Sequence, residues 1–120
     1  MTATEHALEL VRAAARAADD RKADDIVALD VSAHLPLADA FIIASASNER
    51  QVAAVADAVE EALHGLGVKA IRREGVREGR WALLDFNDVI VHVMHSEERA
   101  YYELERLWKD CPVIPLETAE

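Results

Sequence analysis

The sequence predicts one α/β domain of the mixed α+β kind: a five-stranded mixed sheet with flanking helices, in the order α-β-β-α-β-β-β-α. Three observations carry this reading. Apolar residues recur at helical spacing at the beginning, middle and end of the chain. Between them run short β-branched or continuously apolar segments bounded by turn residues. No repeat, low-complexity tract or Gly/Ser/Pro linker divides the 120 residues, so 1–120 is expected to form a single domain with 112–120 as a flexible tail. Of the 52% hydrophobic residues, 23 are Ala, and Leu, Val and Ile supply the bulk of the core.

From Thr4 to about Lys22, Ala7, Leu8, Val11, Ala14, Ala15 and Ala18 form one stripe and predict an amphipathic helix. Asp25–Val31 is short and β-branched and reads as a strand, ended by Leu35-Pro36. Ala38–Ala44 is nearly continuous in apolar character and reads as a central strand. Ser45, Ser47 and Asn48 offer caps for a second helix with Val52, Val55, Ala56, Val59, Ala62 and Leu63 on one face, stopped by Gly65 and Gly67. Val68 to about Glu74 reads as a third strand, followed by a turn framed by Gly75 and Gly79. Arg80–Phe86 and Val89–His95 read as a hairpin around Asn87-Asp88, where Asn tolerates φ > 0. Ser96 is positioned to cap a last helix with Tyr101, Leu104, Leu107, Trp108 and Cys111 on its apolar stripe, ended by Pro112.

The formal charge of −10 argues against a protein that coats duplex nucleic acid, because that task needs Lys and Arg to displace counterions from phosphates. It suits a basic protein as partner. The charge is also uneven. Residues 24–68 carry eight acids against Arg50 alone, whereas residues 69–80 carry five bases against two acids. The basic stretch reads as a solvated strand edge, with limited RNA contact as the functional alternative. Cys111 is the only cysteine, which excludes an internal disulfide. No run of eighteen apolar residues occurs and the first residues lack a secretory pattern, so a cytoplasmic protein with no membrane association is expected.

No catalytic or metal-ligating set emerges. Asp24, Asp25, Asp30, Asp39, Asp85 and Asp88 include no Asp-x-Asp pair that would place two carboxylates on one strand face. His92 and His95 are offset by three residues, hence on opposite faces, and read as one core or interface histidine and one exposed at the strand end. Ala44–Asn48 lacks the Gly of a phosphate-binding turn. Cys111 on an apolar stripe reads as a small buried hydrophobe. The informative set is aromatic and acidic. Trp81, Leu83 and Asp85 share one strand face, and both Trp and both Tyr of the chain lie between residues 81 and 108. Spacing alone leaves two readings for Trp81, Tyr101 and Trp108: a protein-binding hot spot, or packing of the last helix on the sheet.

Over about residues 5–111 the chain resembles the ribosomal silencing factor, or Iojap, family. The matching motifs are Lys22-Ala-Asp-Asp-Ile26, Leu29-Asp-Val-Ser32, Leu37-Ala-Asp-Ala-Phe-Ile-Ile-Ala-Ser45 and Arg50-Gln-Val52. Glu74-Gly75, Trp81-Ala-Leu-Leu-Asp-Phe86, Asp88-Val-Ile-Val-His-Val93 and Arg99-Ala-Tyr-Tyr-Glu-Leu-Glu-Arg-Leu-Trp108 complete the series. Ala40, Asn87 and Met94-His95 depart from the usual family residues. The resemblance implies a five-stranded sheet with nucleotidyltransferase-like topology and a non-enzymatic role without cofactor or metal. It implies binding to the large ribosomal subunit at its protein L-fourteen, which blocks joining of the small subunit and represses translation. Assistance to large-subunit biogenesis is the alternative, and a divergent nucleotidyltransferase a more distant one. It further implies a homodimer when free, at most peripheral contact with ribosomal RNA, and none with DNA. The partner-binding residues carried over are Trp81, Leu83, Asp85, Asp88, Tyr101, Tyr102, Glu105 and Trp108.

Overall fold

Thr4 stops the chain from extending and starts the first helix, its Oγ1 accepting a hydrogen bond from the Ala7 amide at 3.1 Å. In the computed structural model, which describes residues 3–35 and 38–116, this helix, α1, spans Glu5–Asp20. It buries Ala7, Leu10, Val11, Ala14, Ala15 and Ala18. Leu10 takes the place expected for Leu8, because it stands three residues after Ala7 and four before Ala14 on the same face. The second helix, α2 (Glu49–His64), is capped by Asn48, whose Oδ1 accepts from the Gln51 amide at 2.8 Å. It buries Val52, Val55, Ala56, Val59 and Leu63. Both helices lie on one face of the sheet.

Among the described residues that sheet has six strands, one more than expected, in the order β3-β4-β5-β2-β1-β6. The strands are β1 (Asp24–Asp30), β2 (Ala40–Ala46), β3 (Arg72–Glu74), β4 (Trp81–Asp85), β5 (Val89–His95) and β6 (Val113–Ile114). β2 and β5 pair in parallel at the centre, and the other pairs are antiparallel. β2 is buried along its whole length, as its apolar run predicts. The extra strand, β6, falls in the stretch expected to be a tail. The Asp30 amide donates to the Pro112 carbonyl at 2.8 Å, and Val113 and Ile114 then pair with Leu29 and Ala28. Residues 117–120 of that stretch lie outside the described residues, as do Pro36 and Leu37. β3 is shorter than predicted: only the last three residues of the expected stretch form a strand, all three exposed at the sheet edge, and the Ile71 amide before them donates to the Asp85 carbonyl of β4 at 2.7 Å. The β4–β5 turn forms as expected, with Asn87 at φ 76° and its amide donating to Asp85 Oδ1 at 2.8 Å.

The last predicted helix is instead two: α3 (Ser96–Tyr102) and α4 (Leu104–Leu107), separated by Glu103 in the left-handed region (φ 48°, ψ 55°). Its single apolar stripe does not survive. Leu104 and Cys111 are buried, whereas Tyr101 and Leu107 are 79% and 74% exposed. The break turns Leu104 and Trp108 toward the sheet, which one continuous helix on that stripe could not do without also burying Tyr101. The cap differs too. His95 Nδ1 accepts from the Glu97 amide at 3.1 Å, while the expected cap, Ser96, donates its hydroxyl to the Ala46 carbonyl at 3.0 Å.

Two cores result, one on each face. Beneath α1 and α2, Leu10, Val11, Val52, Leu63, Leu84 and Val91 pack with many alanines. On the other face, Leu29, Val31, Phe41, Ile43, Met94, Leu104 and Cys111 are flanked by partly buried Trp81, Ile90 and Trp108. Among the described residues, no helix is long and apolar enough to cross a membrane.

Candidate partner-binding face

The second face is only half covered, and strand parity decides what it presents. Along β4, Ala82 and Leu84 are buried toward the helices, while Trp81, Leu83 and Asp85 are half-buried on the opposite side. In the antiparallel register with β5, Leu83 stands opposite His92 and Asp85 opposite Ile90. The Trp81 indole donates its Nε1–H to His92 Nδ1 at 3.1 Å. The His92 ring meets Phe41 edge-on at 5.0 Å between centroids. Burial pushes the His92 pKa down to about 4, so the ring is neutral near pH 7. Because Nδ1 accepts, the ring proton is assigned to Nε2, which is buried without a hydrogen-bond partner among the described residues.

α3 and α4 add the remaining aromatics. Tyr102 leans on Trp81 with centroids 4.8 Å apart, and Tyr101 meets Tyr102 edge-on at 5.0 Å. Trp108 packs edge-on to Phe41 at 5.3 Å and to His34 at 6.4 Å. Of the two readings left open by the spacing, these contacts bear on packing. Trp108 helps to pack the α4 segment onto the sheet, Tyr101 stands largely in solvent, and Tyr102 is half-exposed against Trp81. The structure brings Trp81, Leu83, Tyr101, Tyr102 and Trp108 together. Asp85 lies four residues from Trp81 along β4, roughly 13 Å away at strand rise, and Asp88 lies beyond it past the hairpin turn. Those two acids form a rim and are not part of the aromatic cluster.

Glu105 is committed within the chain. Its carboxylate accepts from Arg99 Nη2 at 2.7 Å and Nε at 3.2 Å. Burial raises its pKa, but the hydrogen bond and charge of Arg99 and a backbone hydrogen bond together outweigh this, and the net value lies below the ordinary carboxylate range.

Sequence reasoning missed Phe41, Ile90 and the role of His92 on this face. β2 and β5 read as nearly continuous apolar runs, so parity gave no signal there. The expectation of one exposed histidine also fails, because His95 is buried as the cap of α3.

Several other acids and bases have local partners. Asp30 accepts from the amides of Ala3 and Ser32 and from the Ser32 hydroxyl. Asp39 accepts from the Thr4 amide at 3.0 Å. In the basic stretch, Arg73 pairs with Asp57 and Glu60, Arg80 with Glu49, Glu97 and Glu98, and Arg72 with Glu74 and Asp85. Most of its charge is thus turned back onto the chain's own carboxylates, in keeping with a solvated edge. Burial, helped by nearby Asp110 and Asp30, pushes the Cys111 thiol pKa up. Among the described residues, no three His, Cys, Asp or Glu side chains converge as metal ligands would.

Residues 4–120 match the family described as "Ribosomal silencing factor during starvation". A protein of Halalkalibacterium halodurans named ribosomal silencing factor RsfS is 43% identical over 91% of this chain and 93% of its own. One of the same name from Bacillus subtilis is 41% identical over 90% of this chain and 92% of its own. A crystal structure of a Chromobacterium violaceum protein superposes with a TM-score of 0.83 at 39% identity, covering 85% of each chain.

Proposed function

The chain belongs to the ribosomal silencing factor family, and from that premise we propose that it binds the large ribosomal subunit through its half-covered sheet face and so prevents the small subunit from joining. The partner is the large-subunit protein L-fourteen, the setting is the cytoplasm, and the free protein is a homodimer. One observation supports this reading above the others. Trp81 stands partly exposed on β4, its indole held by His92 on one side and packed at a tilt against Tyr102 on the other. An aromatic held this way loses little rotamer freedom when a partner covers it, which is the property of an interface anchor. Asp88 at the rim offers a carboxylate to Lys or Arg, while Asp85 beside it is held by the Asn87 amide and Arg72; acidic charge at that rim steers a basic ribosomal protein. Occlusion requires affinity and bulk where the second subunit docks. It requires no bond-making, and the reading is of a non-enzymatic regulator.

Co-sedimentation with isolated large subunits tests the proposal. Trp81→Ala is expected to weaken binding by about 2–4 kcal/mol, near 30-fold or more, and to restore small-subunit joining in proportion. Undiminished pelleting of a folded Trp81→Ala protein would remove the face from consideration.

A further inference from the structure

Arg99 is the one basic Lys or Arg side chain buried among the described residues, 9% exposed as a whole residue. It stands on α3 three residues before Tyr102, and its carboxylate partner, Glu105, stands on α4 three residues before Trp108. The guanidinium reaches further than that pair. Nη1 donates to the Ser45 hydroxyl at 3.2 Å and to the Asp24 carbonyl at 3.4 Å. One side chain therefore joins the start of β1, the end of β2, α3 and α4 across the left-handed break at Glu103. Helices of seven and four residues do not hold themselves in water, so their placement depends on tertiary ties such as this one.

We infer that Arg99 and Glu105 form a clasp that sets the binding face: it fixes where Tyr102, packed at a tilt on Trp81, stands relative to Trp108, packed edge-on against Phe41. This rests on the reading of that face given above. Arg99 is too deeply buried to meet a partner and acts through the two aromatics as a positioning residue. Glu105 acts through Arg99, in place of the direct partner contact that the family resemblance implies. A planar guanidinium suits the task, because it can bridge a carboxylate, a hydroxyl and a carbonyl at once in fixed directions.

A double-mutant cycle separates a clasp from an independent contact. Binding of Arg99→Ala, Glu105→Ala and the double variant is titrated against isolated large subunits, with near-ultraviolet circular dichroism recording the tryptophan environment and Trp81→Ala as control. Each single variant is expected to bind about tenfold more weakly, and the double no more weakly than the worse single, since both remove one unit. The tryptophan signal should change in both singles while the far-ultraviolet spectrum does not. Additive losses, or weaker binding of Glu105→Ala with an unaltered tryptophan signal, would overturn the clasp in favour of a direct Glu105 contact. If Arg99→Ala does not fold, Glu105→Ala alone decides, because its partly exposed side chain can be removed without opening the core. Loss of binding in Trp81→Ala with wild-type binding in the clasp variants would overturn the clasp and spare the face. Wild-type binding of Trp81→Ala would overturn both.

Discussion

The two faces of the central sheet are covered by different means. On one, two helices of sixteen residues each press alanines, valines and leucines against β4, β5 and β2, and the interior is closed and wholly aliphatic apart from Phe86. On the other, helices of seven and four residues lie over a mixed layer in which Phe41, His92, Met94 and Cys111 are buried while Trp81, Tyr102 and Trp108 stay partly exposed. Small side chains allow long helices to approach closely and exclude water over a wide area. Large rings under short helices leave edges and polar handles at the surface. The first face is a closed core, and the second leaves ring edges and polar groups at the surface.

The sharpest way to break this contrast is in the closed core. Leu84→Ala, at a fully buried position, should lower the unfolding free energy by about 2–5 kcal/mol in urea titrations while the folded fraction binds large subunits normally. Lost affinity in that folded fraction would mean that the two faces are not independent.

Acid should strain the other face first. The folded pKa of His92 is lowered to about 4 by burial, against 6.5 when unfolded, so the unfolded chain takes up the proton first as pH falls. Its contribution is intact above the unfolded value and is lost progressively down to the folded one. The loss amounts to about 3 kcal/mol at about 1.4 kcal/mol per pH unit. In His92→Gln this part of the stability profile should flatten; an unchanged slope would place the acid sensitivity elsewhere.

The smallest effect sharpens the contrast. Tyr101→Ala removes a ring that is 79% exposed, so stability should change by no more than about 0.5 kcal/mol and binding by about 1 kcal/mol or less, as for a rim residue. A larger stability loss in thermal melts would show that Tyr101 packs into the face.

How far the sequence disclosed this arrangement depends on which physical signal each element carries. α1 and α2 were readable because their stripes are long and their caps, Thr4 and Asn48, stand directly before them. The hairpin at Asn87 was readable from its turn chemistry, and the Trp81–Leu83–Asp85 face from alternation along β4. The break at Glu103 was not. Glutamate is a good helix former, and only the tertiary demand that Leu104 and Trp108 reach the sheet forces it to positive φ. β6 was hidden because two residues carry no periodicity. Phe41 and His92 were hidden because strands buried on both sides lose alternation. The clasp between Arg99 and Glu105 could not be read either: a six-residue separation matches no helical neighbour, and it becomes a contact only once the helix breaks.

The sheet ends also govern how the molecule meets copies of itself. At one end stands β3, three residues long and charged throughout with Arg72, Arg73 and Glu74. At the other stands β6, two residues long, which among the described residues covers Ala28 and Leu29 of β1. The uncovered start of β1 carries Asp24 and Asp25, and there the register shifts with Asp25 at φ 50°. Neither end offers the long, flat, apolar edge that templates strand addition. A sheet whose interior is this apolar is thereby a poor seed for amyloid-like stacking, and crowding alone gives its strands nothing to extend.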